Sequence, residues 1–256
     1  MAFKKYSRNP YNPLSDKPYK LSRSRIDNYL NCPRCFYMHE RKGIKAPSGP
    51  TFSLNNAVDN LYKNEFDIYR KEKKSHPIMI KNNLECIPYE NENLSTWRNA
   101  FKGIQWRDEK TNFLFFGGID DIWFNNITNE LIVVDYKSQA NKLPVTPEYY
   151  LAGTYHQGYK IQLEIYAYIL KKMGFAVSDT GYFYVCNANR NADSFDGKML
   201  FEETLVSYQL DHSWVEGAVK NMNDILNCKE LPEMNPHCEN CAYARERAFI
   251  EGNGLI

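Results

Sequence analysis

Hydrophobic and polar positions along the chain change their period several times. Beyond Ser22 or Ser24, either of which suits a helix N-cap, Ile26, Tyr29 and Leu30 recur at helical spacing. The segment CPRCFYMHERKGI follows, and APSGP then marks a turn. In FSLNNAVDNLYKNEFDIYR, the positions of Leu54, Val58, Leu61 and Tyr62 predict a second helix that ends in a run of lysines. The pattern then becomes β. FLFFGGIDDIWF and ELIVVDYKS are rich in aromatic and β-branched residues and flank NNITN, a hairpin signal. A polar loop over roughly 139–158 leads to YKIQLEIYAYILKKMG, where Ile161, Ile165 and Tyr168 mark one helix face and Gly174 suits the C-cap. GYFYVCNA and KMLFEETLVSY predict two more strands, and WVEGAVKNMNDILN predicts a last helix before a short cysteine-bearing tail. This order predicts a single α/β domain over residues 21–256, a mixed sheet flanked by helices with the hairpin of residues 113–138 at its centre. Residues 1–20, rich in Pro, Asn, Tyr and Lys, are expected to form a flexible basic arm.

Composition changes this picture little. The chain has 256 residues, 43% hydrophobic and 25% charged, which suits a soluble globular protein with a sizeable core. No apolar run reaches the roughly 20 residues a membrane span needs, and the N-terminus lacks the apolar region of a secretory signal. A cytoplasmic protein with no membrane partner is expected. The net charge of +1 does not advertise a nucleic-acid partner, but its distribution is uneven. Residues 1–45 hold eleven Lys and Arg against three Asp and Glu, which leaves −7 on the remainder. That asymmetry fits a basic segment meeting a phosphate backbone beside an acidic, metal-binding centre, and it fits equally a solvated N-terminus.

The segment VVDYKS carries the most chemistry. Asp135 and Lys137 are two apart on a predicted strand and so share a face. An acid at the end of a buried apolar run is costly unless paired or metal-bound. In metal-dependent phosphodiester hydrolysis a carboxylate holds Mg²⁺ or Mn²⁺ while an ammonium steadies developing charge. The pattern alone is common in surface salt bridges. GGIDDI on the preceding strand supplies a second acid, and only one of Asp120 and Asp121 can face the site because neighbours on a strand alternate. On QLEIY, Gln162 and Tyr166 are four apart and share a helix face, from which they could bond phosphate or orient Lys137. Seven cysteines in a cytosolic chain argue against disulfides. CPRC and CENC place Cys32, Cys35, Cys238 and Cys241 as two pairs that suit Zn²⁺ or an iron–sulfur cluster, and the spacing alone leans to zinc. Four reduced, metal-free cysteines are the plainer alternative.

Taken together, SRSRIDNYLNCPRCFY, GGIDDI, VVDYKS, QLEIYAYIL and HCENCAY resemble, in order, the motifs of the RecB-like family of PD-(D/E)XK nucleases. The resemblance runs from about residue 21 to 243. It implies a restriction-endonuclease-like fold with the cysteine-rich N- and C-terminal segments brought together, and a nuclease acting on single- or double-stranded DNA in repair, defence or CRISPR-type processing, alongside other DNA-processing proteins. It implies Asp120 and Asp135 as Mg²⁺ or Mn²⁺ ligands, Lys137 as catalytic, and Gln162 and Tyr166 as supports. It also favours a [4Fe–4S] cluster over Zn²⁺ at the four cysteines. Many relatives arrange one N-terminal and three C-terminal cysteines; here there are two and two, with Cys228 a possible substitute. A histidine found on the second helix of many relatives is replaced by Asp59, an oxygen donor that keeps a metal site plausible or simply faces solvent. Lys20, Arg23, Arg25, Arg34, Arg41 and Lys42 are expected, from charge alone, to contact phosphates. The rival expectation is a nuclease fold kept as a non-catalytic nucleic-acid-binding or assembly subunit.

Overall fold

The structure, a computed structural model, describes residues 10–47, 49 and 52–252. In chain order its elements are β1 (Tyr19–Ser22), α1 (Arg23–Asn31), α2 (Pro33–Glu40), α3 (Ser53–Glu72), α4 (Pro77–Lys81), β2 (Cys86–Pro88), α5 (Leu94–Trp97), β3 (Ile104–Asp108), β4 (Phe113–Gly117), β5 (Asp121–Asn125) and β6 (Leu131–Gln139). There follow α6 (Pro147–Ala152), a 3-10 turn (Thr154–His156), α7 (Gln157–Lys172), β7 (Thr180–Ala188), β8 (Phe201–Gln209), α8 (Val215–Asn227) and α9 (Glu239–Gly252). The chain divides into two compact units, one of Met1–Pro50, Arg107–Phe115 and Ser213–Ile256, the other of Thr51–Trp106 and Phe116–His212. Among the described residues no helix is long and apolar enough to cross a membrane.

The first unit is mainly helical. Between α1 and α2 the backbone is extended at Cys32 and restarts at Pro33, whose fixed φ and missing N–H suit a first helical position. On α8, Val215, Ala218, Val219, Met222 and Leu226 are buried, the stripe expected of an amphipathic helix. Glu40 is buried and held by Arg25 at 3.1 Å, the Tyr19 hydroxyl at 2.7 Å and His39. Of the arm expected over residues 1–20, residues 1–9 lie outside the described residues. From Tyr11 onward the chain is tied down: the Tyr11 amide donates to the Glu40 carbonyl at 2.7 Å, and the Tyr19 amide to that of Asn112 at 2.9 Å. The tail beyond α8 contains a further helix, α9, none of whose residues is buried.

The second unit is built on a five-stranded mixed sheet of order β2-β5-β6-β7-β8. Only β6 and β7 run parallel, and α6, the 3-10 turn and α7 make the crossover between them that parallel strands require. The predicted strand FLFFGGIDDIWF is in fact two strands, because β4 takes no part in this sheet and only β5 forms the hairpin with β6. The break falls at the paired glycines. A Cβ at Gly117 would come within 2.4 Å of the Tyr166 ring, and one at Gly118 within 3.0 Å of the Ala100 backbone. A side chain at Gly117 would collide with the Tyr166 ring, and one at Gly118 would crowd the Ala100 backbone.

The buried face of α3 matches the predicted positions only in part, since Val58 and Tyr62 pack against the core but the leucines do not. Leu54 and Leu61 are 57% and 66% exposed, and the helix buries Tyr62, Phe66 and Arg70, four residues apart. Large rings outcompete leucines for this contact because they cover more of the sheet. Phe66 stacks on Trp123 at 5.6 Å and on His76 at 4.2 Å, in a core shared with Ile132, Val134, Tyr136 and Tyr184. Arg70 is the only charged residue on that line. Its guanidinium pairs with Asp121, which is fully buried and also accepts from Arg98 at 3.1 Å and from the Tyr136 hydroxyl at 2.7 Å. Arg70 further donates to the Tyr89 carbonyl at 2.7 Å, and Arg98 holds Asp67 through both carboxylate oxygens at 2.9 Å.

Breaking a buried ion network by removing one member leaves uncompensated charge and is strongly destabilising. We expect Asp121→Ala to lower the free energy of unfolding by about 3–5 kcal/mol in urea titrations. Leu54→Ala, on the exposed face of α3, should change it by no more than about 0.5 kcal/mol. Equal effects of the two would contradict the burial pattern described here.

Candidate active site and metal centre

The alternation of β6 separates two tasks. Val134 and Tyr136 face the aromatic core under α3, so Asp135 and Lys137 are set on the opposite face. Asp135 is fully buried. Its Oδ1 accepts from Gln162 Nε2 at 2.8 Å, while Lys137 Nζ pairs with its Oδ2. The same amide of Gln162 reaches the Tyr166 hydroxyl at 3.3 Å, and that hydroxyl donates to the Gly118 carbonyl at 2.7 Å. Gln162 and Tyr166 thus hold the acid and the glycine turn ahead of Asp120.

Asp120 and Asp121 do diverge. Asp121 is absorbed by the Arg70–Arg98 network, while Asp120 stands just outside β5 and accepts the Tyr136 amide on Oδ2 at 3.0 Å. Its Oδ1 lies 3.4 Å from Lys63 Nζ, and Lys63 in turn lies 2.6 Å from Asp59 Oδ2. Asp59 therefore sits near the Asp120 carboxylate rather than merely facing solvent. Lys63, which places an ammonium between these two acids, was not anticipated. Its signal was legible, since it follows Asp59 at the i,i+4 spacing of a helical ion pair. Glu65 belongs elsewhere, paired with His76 at 2.9 Å.

The electrostatics follow from burial and crowding. Burial, then the charge of Asp120, push the Asp135 carboxyl well above the usual carboxylate range against the pull of Lys137. Burial and Asp120 likewise raise Asp59, opposed by Lys63. Burial also works against ionised Asp120, but the charges of Lys137 and Lys63 and the Tyr136 amide outweigh it and lower its pKa. Asp59 Oδ1 is buried without a hydrogen-bond donor, and Asp135 Oδ2 is held by the Lys137 ammonium. Acceptor oxygens left without donors among like-charged neighbours are what a divalent cation satisfies, so the donor set fits a hard, oxygen-bound ion.

The other candidate centre lies in the first unit. Sγ atoms of Cys32, Cys35, Cys238 and Cys241 all lie within 4.8 Å of one another. The Cys32–Cys241 separation is 3.7 Å, and Cys35 is 3.5 Å from both Cys238 and Cys241. Cys228, the possible substitute, is exposed and outside the group. Burial works to raise the Cys32 thiol, but the amides of Asn235 and Cys35 and the neighbouring thiols overcome it and lower the pKa to about 7. Burial and the adjacent thiols raise Cys35, and burial leads Cys241 up to about 11.

The basic residues are less uniform than their charge implied. Arg25 is spent on Glu40, Arg34 Nε donates to the Pro232 carbonyl at 2.8 Å, and Arg41 donates to that of Tyr11 at 3.0 Å. Lys42 lies over the Tyr37 ring at 5.6 Å, and the charge of Arg23 acts on Asp27. Lys20 lies on β1. Sequence reasoning also passed over the stretch read as a polar loop, which folds as α6 and the 3-10 turn and lines a cleft that Lys137 shares.

Comparison with known proteins supplies the frame for this geometry. The family model of the PD-(D/E)XK nuclease superfamily matches residues 53–245, a span holding Asp59, Asp120, Asp135, Lys137, Gln162 and Tyr166. Among solved structures, the chain is similar to the crystal structure of a "putative exonuclease" from Eubacterium rectale, with 14% identity, a TM-score of 0.41, and coverage of 92% of this chain and 91% of that one. No curated protein matches the sequence. With the family model spanning most of its length, the chain belongs to the PD-(D/E)XK nuclease superfamily.

Proposed function

We propose that the protein is a Mg²⁺- or Mn²⁺-dependent deoxyribonuclease of the RecB-like branch, cutting phosphodiester bonds at Asp120, Asp135 and Lys137. The observation that carries this reading is the gathering of Asp59, Asp120 and Asp135, with Asp59 Oδ1 buried without a donor and Asp135 buried on the central strand against the ammonium of Lys137. Asp120 and Asp135, with Asp59, would hold the ion. When bound, it supplies Lewis acidity and charge neutralisation at the phosphate. Lys137 lends a fixed positive charge to the phosphate oxygens as negative charge builds on them. Gln162 keeps the Asp135 carboxylate in one orientation, and Tyr166 keeps the Gly118 turn, and so Asp120, in register. A cytoplasmic location and other DNA-processing partners belong to the same proposal.

One observation favours the rival role of a non-catalytic nucleic-acid-binding subunit. Lys63 places its ammonium between Asp59 and Asp120, where it competes with a metal ion for the same oxygens. Cleavage of end-labelled single- and double-stranded DNA in Mn²⁺, Mg²⁺ or EDTA separates the two. We expect metal-dependent cutting that Lys137→Ala reduces about 100- to 1,000-fold, the scale of losing one transition-state charge donor. Binding without cutting in every metal would establish the rival.

At the cysteine centre we infer Zn²⁺ in preference to the [4Fe–4S] cluster that the family resemblance favours. Four thiolates around one tetrahedral zinc, at Zn–S distances of about 2.3 Å, lie about 3.8 Å apart. Three of the separations here, 3.5 to 3.7 Å, are near that size, and all four sulfurs lie within 4.8 Å of one another. Thiolates at the four corners of a cuboidal cluster must stand farther apart. Elemental analysis of protein purified without oxygen should find zinc, and no visible iron–sulfur absorption. Chelation should lower the thermal midpoint, because a structural zinc site contributes folding free energy. Iron and sulfide bound in equal amounts would overturn the assignment.

A further inference from the structure

The crossover from β6 to α7 does more than connect strands. Together with the end of β6 it lines a cleft of about 510 Å³ whose walls include Lys137, Asn141, Tyr149, Tyr150, His156 and Tyr159. The rings of Tyr150, His156 and Tyr159 form a continuous stack. His156 lies 4.1 Å from Tyr150 at an interplanar angle of 24°, and 5.5 Å from Tyr159 at 18°. The stack ends at Lys137, whose Nζ is 4.5 Å from the Tyr159 ring centre. Two further tyrosines on the lining are open to solvent, Tyr149 at 59% and Tyr155 at 92% exposure.

The segment is braced to keep this shape. Asn187 accepts from the Asn141 amide at 2.8 Å and donates to the carbonyls of Asn141 and Leu143 at 3.2 and 3.3 Å. At Gly153 a Cβ would stand 2.8 Å from His156 Nδ1, so the absence of a side chain is what lets the imidazole close on Tyr150. His156 Nδ1 is in turn 2.6 Å from the Tyr150 carbonyl. Tyr150 is 1% exposed, and its hydroxyl has no hydrogen-bond partner, a cost that a polar ligand in the cleft would remove. The lining holds a lysine and no carboxylate, so it accepts an anion more readily than the acid cluster beside it.

We propose that this cleft is a nucleobase subsite, taking one unpaired base of the nucleotide next to the bond cut at Asp135 and Lys137. The proposal rests on the reading of those residues as the hydrolytic centre and adds what the substrate must offer there. Open aromatic faces on which bases stack, beside positive charge for the backbone, are the means by which proteins hold single strands without reading their sequence, and Tyr149 and Tyr155 offer such faces at the mouth of the braced stack. A cavity of this size suits a small molecule and has no room for a base pair with both its backbones. A paired base must first leave its stack to enter. The substrate is therefore a single strand or a frayed end.

The test separates binding from cutting. In EDTA, where nothing is cut, binding of a fluorescent oligothymidylate is compared with that of an abasic oligomer of the same length and with a duplex. We expect the oligothymidylate to bind most tightly. The double variant Tyr149→Ala/Tyr155→Ala, altered only at exposed positions, should weaken its binding about tenfold or more and leave the abasic oligomer unaffected. Phenylalanine at the same two positions should restore binding, and equal thermal midpoints would show that all variants are folded. Equal affinity for base-bearing and abasic oligomers, or full binding by the alanine variant, would overturn the subsite. Cutting in Mn²⁺ with base-independent binding removes the subsite and leaves the hydrolytic centre standing. Base-dependent binding by a protein that cuts nothing keeps the subsite and removes the hydrolytic centre.

Discussion

The second unit depends on the neutralisation of one carboxylate that never meets solvent. Asp121 opens β5 in the interior of the unit, where an unpaired acid would carry a penalty of several kcal/mol. Arg70 reaches it from α3, Arg98 from just beyond α5, and the Tyr136 hydroxyl from β6. These groups satisfy the charge only when helix, strand and loop have docked correctly. Arg98 also donates from Nε to the Asp120 carbonyl at 3.1 Å, so the ion network grips the backbone of the neighbouring acid. Tyr136 joins the two layers of this arrangement: its hydroxyl serves the buried frame and its amide serves Asp120.

This division explains how two adjacent aspartates serve unlike ends. Asp121 is surrounded by fixed positive charge and is structural. Among the described residues no arginine bonds the Asp120 carboxylate; the Tyr136 amide, the Asp135 carboxyl and the charges of Lys137 and Lys63 are its surroundings. Asp135 lies between these extremes. Gln162 satisfies one of its oxygens, and the other is left to Lys137. Under the proposed hydrolytic role, the arrangement is rigid where orientation matters and electrostatically incomplete where a cation and a phosphate would be accommodated.

Much of this was legible in sequence because strand alternation is a strict rule. The separation of Asp120 from Asp121, and the shared face of Asp135 and Lys137, follow from period two alone. The pairing of the two cysteine motifs was legible from thiol chemistry. Other features were not, for identifiable reasons. On α3, Val58 and Tyr62 were read correctly as packing positions, but Leu54 and Leu61 were weighted with them and Phe66 was passed over. The strand break at Gly117–Gly118 depends on the approach of Tyr166 and Ala100, which are distant in sequence. The aromatic stack beside Lys137 arises from a tertiary fold of a polar-looking segment, in which neither period two nor period 3.6 is sustained. The engagement of Arg25, Arg34 and Arg41 by groups within the protein cannot be seen in a charge count.

The four-cysteine group has a consequence for how the protein is made. Cys35 and Cys238, in contact in the folded chain, are separated by 203 positions in sequence. At translation rates of about 5–20 residues per second, the first cysteine pair leaves the ribosome roughly 10–40 s before its partners. Throughout that interval two reduced thiols are held in a nascent chain without their partner ligands. The centre thus cannot close until Cys238 and Cys241 have left the ribosome. Its closure reports that synthesis has passed the whole of the sheet-bearing unit, and a chain released early carries an open pair of thiols in its place.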